Sequence, residues 1–297
     1  MIAGRRSVAL MAFSVLLSVM VPGVSAQTTS LELVRYGWDN TTVAESTTVN
    51  VSWMKANLPV MGDEVTHYHF QGPTFIPTDL WNPAEDVNLD KINETVKGTA
   101  LRDLCEVVGG MHPGDEVQVR AADGFKKRLN YTNVYTPPSR QGEPILAWWN
   151  ARNGDEWRDG MRLFFLADTS SNPKGWHIFG NEDMRICLSP SYWHYFSDSE
   201  TNYPSAAGLS ISNVVKLEIF RSPNPLPLPP QQVIPRDLDR DGKCEDVNGN
   251  GRRDFADVVL YFNQMIWIAE NEPIPAFDFN NNNRIDFADI VRLFEMM

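Results

Sequence analysis

The chain has 297 residues, of which 42% are hydrophobic, and a formal charge of −12. That much apolar material fits one ordinary domain plus a small second one and excludes a disordered protein. The acidic balance, with no Lys/Arg cluster after Arg6 beyond "FKKRL" at 125–129, excludes a nucleic-acid footprint, because neutralising phosphates takes a basic face.

The first residues read as an export signal expected to span 1–26. Arg5 and Arg6 precede an apolar run from Val8 to Met20, and "VSA" ends at Ala26, where small residues suit signal peptidase. The run is shorter than the roughly 20 residues a spanning helix requires. The mature protein is therefore expected to start near Gln27, to be extracellular or at the cell surface, and not to be transmembrane. The paired arginines also admit twin-arginine export, although the following "SVAL" fits that route poorly. Asn40, Asn50, Asn93 and Asn130 stand in N-x-S/T sequons that an exported chain would present to glycosylation machinery. Cys105, Cys187 and Cys244 are an odd set, so at most one internal disulfide can form.

Residues 27–221 are expected to form an α+β, mainly β domain. "DEVQVRAADGFKKRL" (115–129), "MRLFFLA" (161–167) and "NVVKLEIF" (213–220) read as strands. In the first, Val117, Val119 and Ala121 fall on one face, and "ADG" supplies the turn into the next strand. "ALRDLCEVVGGM" (100–111) predicts a short helix stopped by glycines, with Leu101, Leu104, Val107 and Val108 as its buried stripe.

Residues 96–135, "VKGTALRDLCEVVGGMHPGDEVQVRAADGFKKRLNYTNVY", with "GMRLFFLA" (160–167) and "GLSISNVVKLEIF" (208–220), resemble the molybdopterin-binding domain of the sulfite-oxidase family. The likeness lies in a "G-x-x-L-x-D-L" helix, a glycine, a strand, "A-x-D-G" before an aromatic, and a closing strand. It implies a sulfite-oxidase-like fold. Redox chemistry in that family needs a thiolate on molybdenum, a soft ligand supplied by a cysteine upstream of the helix. At the comparable place this chain reads "HYHFQGPTF" (67–75), without cysteine, so molybdopterin is not expected as a cofactor. Cys105, on the apolar side of the helix, is expected to be buried packing.

His67 and His69 are spaced for one face of a strand, and His177 and His194 sit among aromatics. Neutral imidazoles from these four could converge on zinc or copper, against the simpler expectation of structural histidines. "AWW" (147–149) and "YWHYF" (192–196) are expected to pack in the core. For glycoside hydrolysis, Asp155, Glu156 and Glu182 are candidate carboxylates, with nothing in the sequence to pair them.

"SPNPLPLPPQQVIP" (222–235) is expected to be a stiff, extended, polyproline-like spacer at a domain boundary. Beyond it, "DVNGNGRRDFADVVLYFNQM" from Asp246 and "DFNNNNRIDFADIVRLFEMM" from Asp278 repeat one design. Counting from the first aspartate, oxygen-bearing residues recur at positions 1, 3, 5, 9 and 12: Asp246, Asn248, Asn250, Asp254 and Asp257, then Asp278, Asn280, Asn282, Asp286 and Asp289. Arg252 and Arg284, at position 7, give only their backbone carbonyls. These are the offsets at which an EF-hand-type loop surrounds a hard cation, with Gly251 and Asn283 at the sharp turn, and calcium is the expected cofactor. Asp254 and Asp286 are natural helix N-caps. Phe255, Val258, Val259 and Phe262 recur as Phe287, Ile290, Val291 and Phe294, stripes expected to bury each other. A third acidic run, Asp237, Asp239, Asp241, Gly242 and Glu245, overlaps the first repeat and is a candidate for a further calcium or for sharing ligands.

This tandem loop-helix pattern over 236–297 resembles a dockerin module. The resemblance implies two half EF-hands that fold with calcium and dock onto a cohesin-like or other surface protein. Asp257 and Asp289 agree with the family's final ligand, whereas Phe255-Ala256 and Phe287-Ala288 are apolar where many members are polar. The whole chain is thus expected to be a secreted or cell-surface modular protein, a non-catalytic binding or scaffolding domain held in place by a calcium-loaded docking module. The alternative is an extracellular enzyme, either a metal-dependent oxidoreductase or a polysaccharide-degrading hydrolase.

Overall fold

The computed structural model describes residues 28–155, 157, 160–169, 172–197 and 200–297; the expected export signal and Glu156 lie outside them. The protein is mixed α+β, mainly sheet up to Phe220, with its longest helices gathered at the C-terminal end. Twelve strands occur among the described residues: β1 (Ser30–Tyr36), β2 (Val43–Asn50), β3 (His67–Phe70), β4 (Ile92–Ala100), β5 (Glu116–Ala121), β6 (Lys126–Asn130), β7 (Glu143–Asn150), β8 (Arg162–Leu166), β9 (His177–Phe179), β10 (Tyr195–Ser197), β11 (Asn202–Pro204) and β12 (Val214–Phe220).

One sheet runs β2-β1-β12-β5-β6. Its β1 and β12 pair in parallel, Leu33 opposite Leu217, so the two ends of the domain close it. Alternation decides its faces: Leu31, Leu33, Val117, Val119, Leu217 and Ile219 turn into the core. On the other face Glu218 takes bonds from Gln118 Nε2 (2.7 Å), Arg120 Nε (2.9 Å) and the Tyr36 hydroxyl (3.2 Å). The expected "ADG" turn joins β5 to β6, with Gly124 at φ +89°.

The second sheet runs β8-β7-β4-β3-β9, with β3 and β9 parallel. Central β7 is buried on both faces, which is why "EPILAWWN" reads as a continuous apolar run. Gly98 lies at a bulge in β4 where a Cβ would meet the Leu146 carbonyl, so the β4–β7 approach requires glycine. Phe70, Phe164, Phe165 and Phe179 fill the core of this half. Trp148 is buried and donates to Thr99 Oγ1 (3.1 Å), as expected for "AWW"; "YWHYF" splits, burying Tyr192 and exposing Tyr195 and Phe196.

Four short helices connect the strands: α1 (Val51–Asn57), α2 (Leu101–Glu106), α3 (Tyr131–Tyr135) and α4 (Asn181–Cys187). Asn50 and Asn130, two of the sequon asparagines, cap α1 and α3 by accepting from Trp53 N and Asn133 N, each at 2.8 Å. Helix α2 buries Leu101, Leu104 and Cys105 but ends at Glu106, short of the expected Val107 and Val108, of which Val108 is buried and Val107 half-buried; Gly109 and Gly110 follow at positive φ.

Residues 222–235 depart from the extended spacer expected of so many prolines. Leu228 N donates to Val233 O (2.7 Å) and Gln232 N to Leu228 O (2.8 Å), closing a turn. The cause is Leu228 itself: its fully buried side chain joins a second apolar core with Val247, Tyr261, Ile268, Phe277 and Leu293. Around that core lie α5 (Phe255–Asn271), α6 (Ile274–Phe277) and α7 (Phe287–Glu295).

Candidate cation centres and apolar groove

The repeated loops share one set of bonds from backbone N–H groups to side-chain oxygens. In the first, Asp246 Oδ1 accepts from Asn250 N (2.9 Å) and Oδ2 from Gly251 N (2.8 Å), while Asn248 Oδ1 and Asn250 Oδ1 accept from Asn250 N (3.0 Å) and Arg252 N (2.8 Å). In the second, Asp278 accepts from Asn282 N (3.0 Å) and Asn283 N (2.8 Å), Asn280 from Asn282 N (2.9 Å) and Asn282 from Arg284 N (3.0 Å). The side chains at positions 1, 3 and 5 therefore turn their oxygens back onto the backbone N–H groups of their own loop, which fixes the loop's curvature.

The sixth position is left-handed in both, Gly251 at φ +83° and Asn283 at +64°. Position 4 is left-handed too, Gly249 at +68° and Asn281 at +61°. That second requirement escaped the sequence reading. Its signal was present, since glycine and asparagine are the residues that accept such φ most readily.

Each loop ends in its helix. Asp254 and Asp286 cap α5 and α7 by accepting from Ala256 N and Ala288 N (2.9 and 2.8 Å). Asp257 reaches back to Asp254 N (2.8 Å) and Asn248 N (2.9 Å), and Asp289 to Asp286 N (2.8 Å) and Asn280 N (3.1 Å). One carboxylate thus completes the capping box and also closes the loop. Burial, reinforced by neighbouring aspartates, pushes both carboxyls above the ordinary range. A divalent ion would reverse that shift by supplying opposite charge. The position-9 aspartates hold their Oδ2 atoms 3.4 Å from the Nδ2 of Asn250 and Asn282, and in the second loop Asp286 Oδ2 also pairs with Arg284 Nε (2.8 Å).

The third run also gathers. Asp237, Asp239, Asp241 and Glu245 bring one oxygen each within 4.8 Å of the others.

The expected mutual burial of the two stripes occurs only at their floor. Val258 and Ile290 are buried, whereas Phe255 (62% exposed), Val259, Phe262 (58%), Phe287, Val291 and Phe294 (55%) remain open. Tyr261 explains the difference: its ring packs on Phe277 and Phe279 and its hydroxyl donates to Phe277 O (2.7 Å), turning the adjacent stripe of α5 inward. The eight residues line an apolar groove of about 420 Å³ between α5 and α7. Its walls obey a local two-fold: Phe255 meets Phe294 edge-on (6.1 Å) and Phe262 meets Phe287 in the same way (6.3 Å).

In the sheet domain, His67, His69 and His177 do converge, because parallel β3–β9 pairing sets Tyr68 opposite His177. With Trp176 they line a cavity of about 410 Å³. His177 Nδ1 lies 2.7 Å from Ala167 O and His67 Nδ1 2.8 Å from Asn93 Oδ1. His69 stacks on Trp176 at 4.4 Å, and burial, helped by His67, pulls its pKa down to about 4, leaving it neutral at pH 7. The three do not make a compact ligand set: among the described residues, the acidic quartet is the group whose His, Cys, Asp or Glu ligand atoms all lie within 4.8 Å. His194 sits elsewhere, against Phe125 and Gly208.

All three cysteines are free. Cys105 is fully buried and its thiol is pushed up by burial, while β3 carries His67 and His69. Asp155 pairs with Lys55 (2.6 Å) and Glu182 with Arg185 (2.5 Å), each in its own local ion pair. No helix among the described residues is long and apolar enough to cross a membrane. No model of a protein family matches the chain, and no curated protein matches it.

Proposed function

We propose that the chain is a secreted or cell-surface modular protein whose C-terminal region, the dockerin-like part, folds around calcium and docks onto a cohesin-like protein. The partner would meet the groove between α5 and α7, and the sulfite-oxidase-like domain would be held in the resulting assembly as a binding or scaffolding part. The observation that carries this reading is the groove: six apolar residues standing open over a floor of Val258 and Ile290, on helices that begin at duplicated acidic loops. Contiguous apolar surface on an acidic protein is the mark of an interaction site, whereas scattered apolar residues are not. The two-fold arrangement of Phe255, Phe262, Phe287 and Phe294 places an aromatic anchor at each corner of the groove.

The test uses the full chain against a panel of immobilised cohesin domains, in calcium and in EDTA. Binding in calcium, lost in EDTA and in Phe262→Ser/Phe294→Ser, is the expected result. A calcium-loaded chain that binds none of them and sediments as a dimer would overturn the reading in favour of self-association through the same groove.

A further inference from the structure

The acidic run before the first repeat has the backbone of a cation loop. Counted from Asp237, positions 4 and 6 are Arg240 (φ +66°) and Gly242 (φ +93°), the same two left-handed positions as in the tandem loops. The bonds recur as well: Asp237 accepts from Asp241 N (3.2 Å) and Gly242 N (2.8 Å), Asp239 from Asp241 N (3.2 Å) and Asp241 from Lys243 N (2.8 Å).

The loop has no acid at position 12, where Asn248 belongs to the next loop. Glu245, at position 9, closes it instead. Its Oε1 accepts from Leu238 N (3.1 Å), but its Oε2, on a side chain only 3% exposed, has no hydrogen-bond partner. Asp257 and Asp289, by contrast, use both oxygens. A buried carboxylate oxygen without a donor points to an ion, since burying it unpaired is costly. Among the described residues, none of the four carboxylates is in an ion pair. Lys243, the nearest cation in the loop, instead donates to Asp278 O (2.5 Å) and Asn281 Oδ1 (2.9 Å) of the second repeat.

We propose that Asp237, Asp239, Asp241 and Glu245 form a third site for a hard divalent cation, calcium, in addition to the two tandem loops. Four carboxylates and no soft donor select a hard ion, and the flexible loop spacing suits calcium's high coordination number better than the strict octahedron of magnesium. The site has structural reach. Arg236, just before it, exchanges two backbone bonds with Asp246, the first ligand of the first repeat, and Cys244 N donates to Ala276 O two residues before Asp278. An ion there pins the chain leaving the sheet domain to both tandem loops.

The experiment is native mass spectrometry of the full chain, stripped with EDTA and titrated with calcium chloride, alongside Asp239→Asn/Glu245→Gln. Glu245→Gln is near-isosteric and Asp239 is exposed, so the fold should persist, as far-UV circular dichroism would verify; Asp239→Asn alone is the fallback if the double variant unfolds. The expected result is three calciums on the parent and two on the variant. Two on both would overturn the third site while leaving the tandem loops intact. Three on both would also overturn it, because the third ion would then sit elsewhere. None on either would overturn this site and the calcium-dependent docking together.

Discussion

Glu272 ends α5 with a fully buried side chain, and both of its oxygens accept from Leu226 N (2.9 and 3.1 Å) in the segment leading out of the sheet domain. Burial pushes its carboxyl from an ordinary 4.5 up to about 7, only partly offset by the Leu226 bond. Below about pH 4.5 the group is protonated whether folded or not. Between 4.5 and 7 the folded state holds a proton that the unfolded chain has released, so stability falls as pH rises, and it levels off above 7. At about 1.4 kcal/mol per pH unit, that window corresponds to about 3 kcal/mol. Glu272→Gln keeps an acceptor for Leu226 N and removes the ionisation. In excess calcium, the parent and variant should melt together near pH 5, and the variant's C-terminal region should melt higher by on the order of 10 °C at pH 8. Hydrogen exchange of α5 peptides in the full chain localises the effect. Parallel pH profiles for the two proteins would refute the argument, since they would mean that Glu272 ionises in the fold without cost.

Three further outcomes are expected. Tyr261→Phe should destabilise the C-terminal region by about 1–3 kcal/mol in thermal unfolding, because Phe277 O then loses its donor in a dry core. Arg140→Met should cost the sheet domain about 3–5 kcal/mol by the same measurement: it would strand Glu85 and Asp183, now bound at 3.0 and 2.7 Å, as buried acids. Folded, calcium-loaded protein should react slowly with a thiol reagent at pH 8 and release three thiols in denaturant, since burial pushes Cys187 up to about 11 and Cys244 up to about 12 and takes Cys105 higher still.

The parts legible in the sequence are those whose cause is local. Strands β5, β6 and β12 announce themselves by alternation and β8 by a short apolar run, and the tandem loops by a pattern repeated within twelve contiguous residues. What depends on distant pairing was not legible. Nothing in "HYHF" or "GWHIFG" predicts that β3 and β9 lie side by side and bring His69 against Trp176. Periodicity also misplaced the buried face of α5, for a physical reason. That helix carries one apolar stripe through Phe255, Val259, Phe262 and Ile266 and another through Val258, Tyr261 and Ile268, so spacing alone cannot say which one the core takes. A hydroxyl with an acceptor waiting at Phe277 settles it in favour of the second. In the proline-rich segment, composition favoured an extended chain, but one leucine with an apolar core to fill outweighed it.

The placement of the loop carboxylates explains how an open groove would answer to the proposed ion without touching it. Asp257 and Asp289 close their loops onto Asn248 N and Asn280 N and serve their helices as the third residue of the capping box, and Phe255 and Phe287 are the first helical residues, two positions before them. The start of each groove wall is therefore held by the same carboxylate that would grip calcium. Without the ion, Asp246, Asp254 and Asp257 crowd like charges at the N-terminus of α5, and Asp278, Asp286 and Asp289 do the same at α7. Helices of 17 and 9 residues are marginal without such anchorage, the shorter one especially. Since Phe255 closes on Phe294 and Phe262 on Phe287, fraying the first turn of α5 undoes the first pair and fraying that of α7 the second. Calcium bound as proposed would act on the groove through helix termini, and because its ligands must be deprotonated, acidification should oppose it at the very carboxyls that burial already raises.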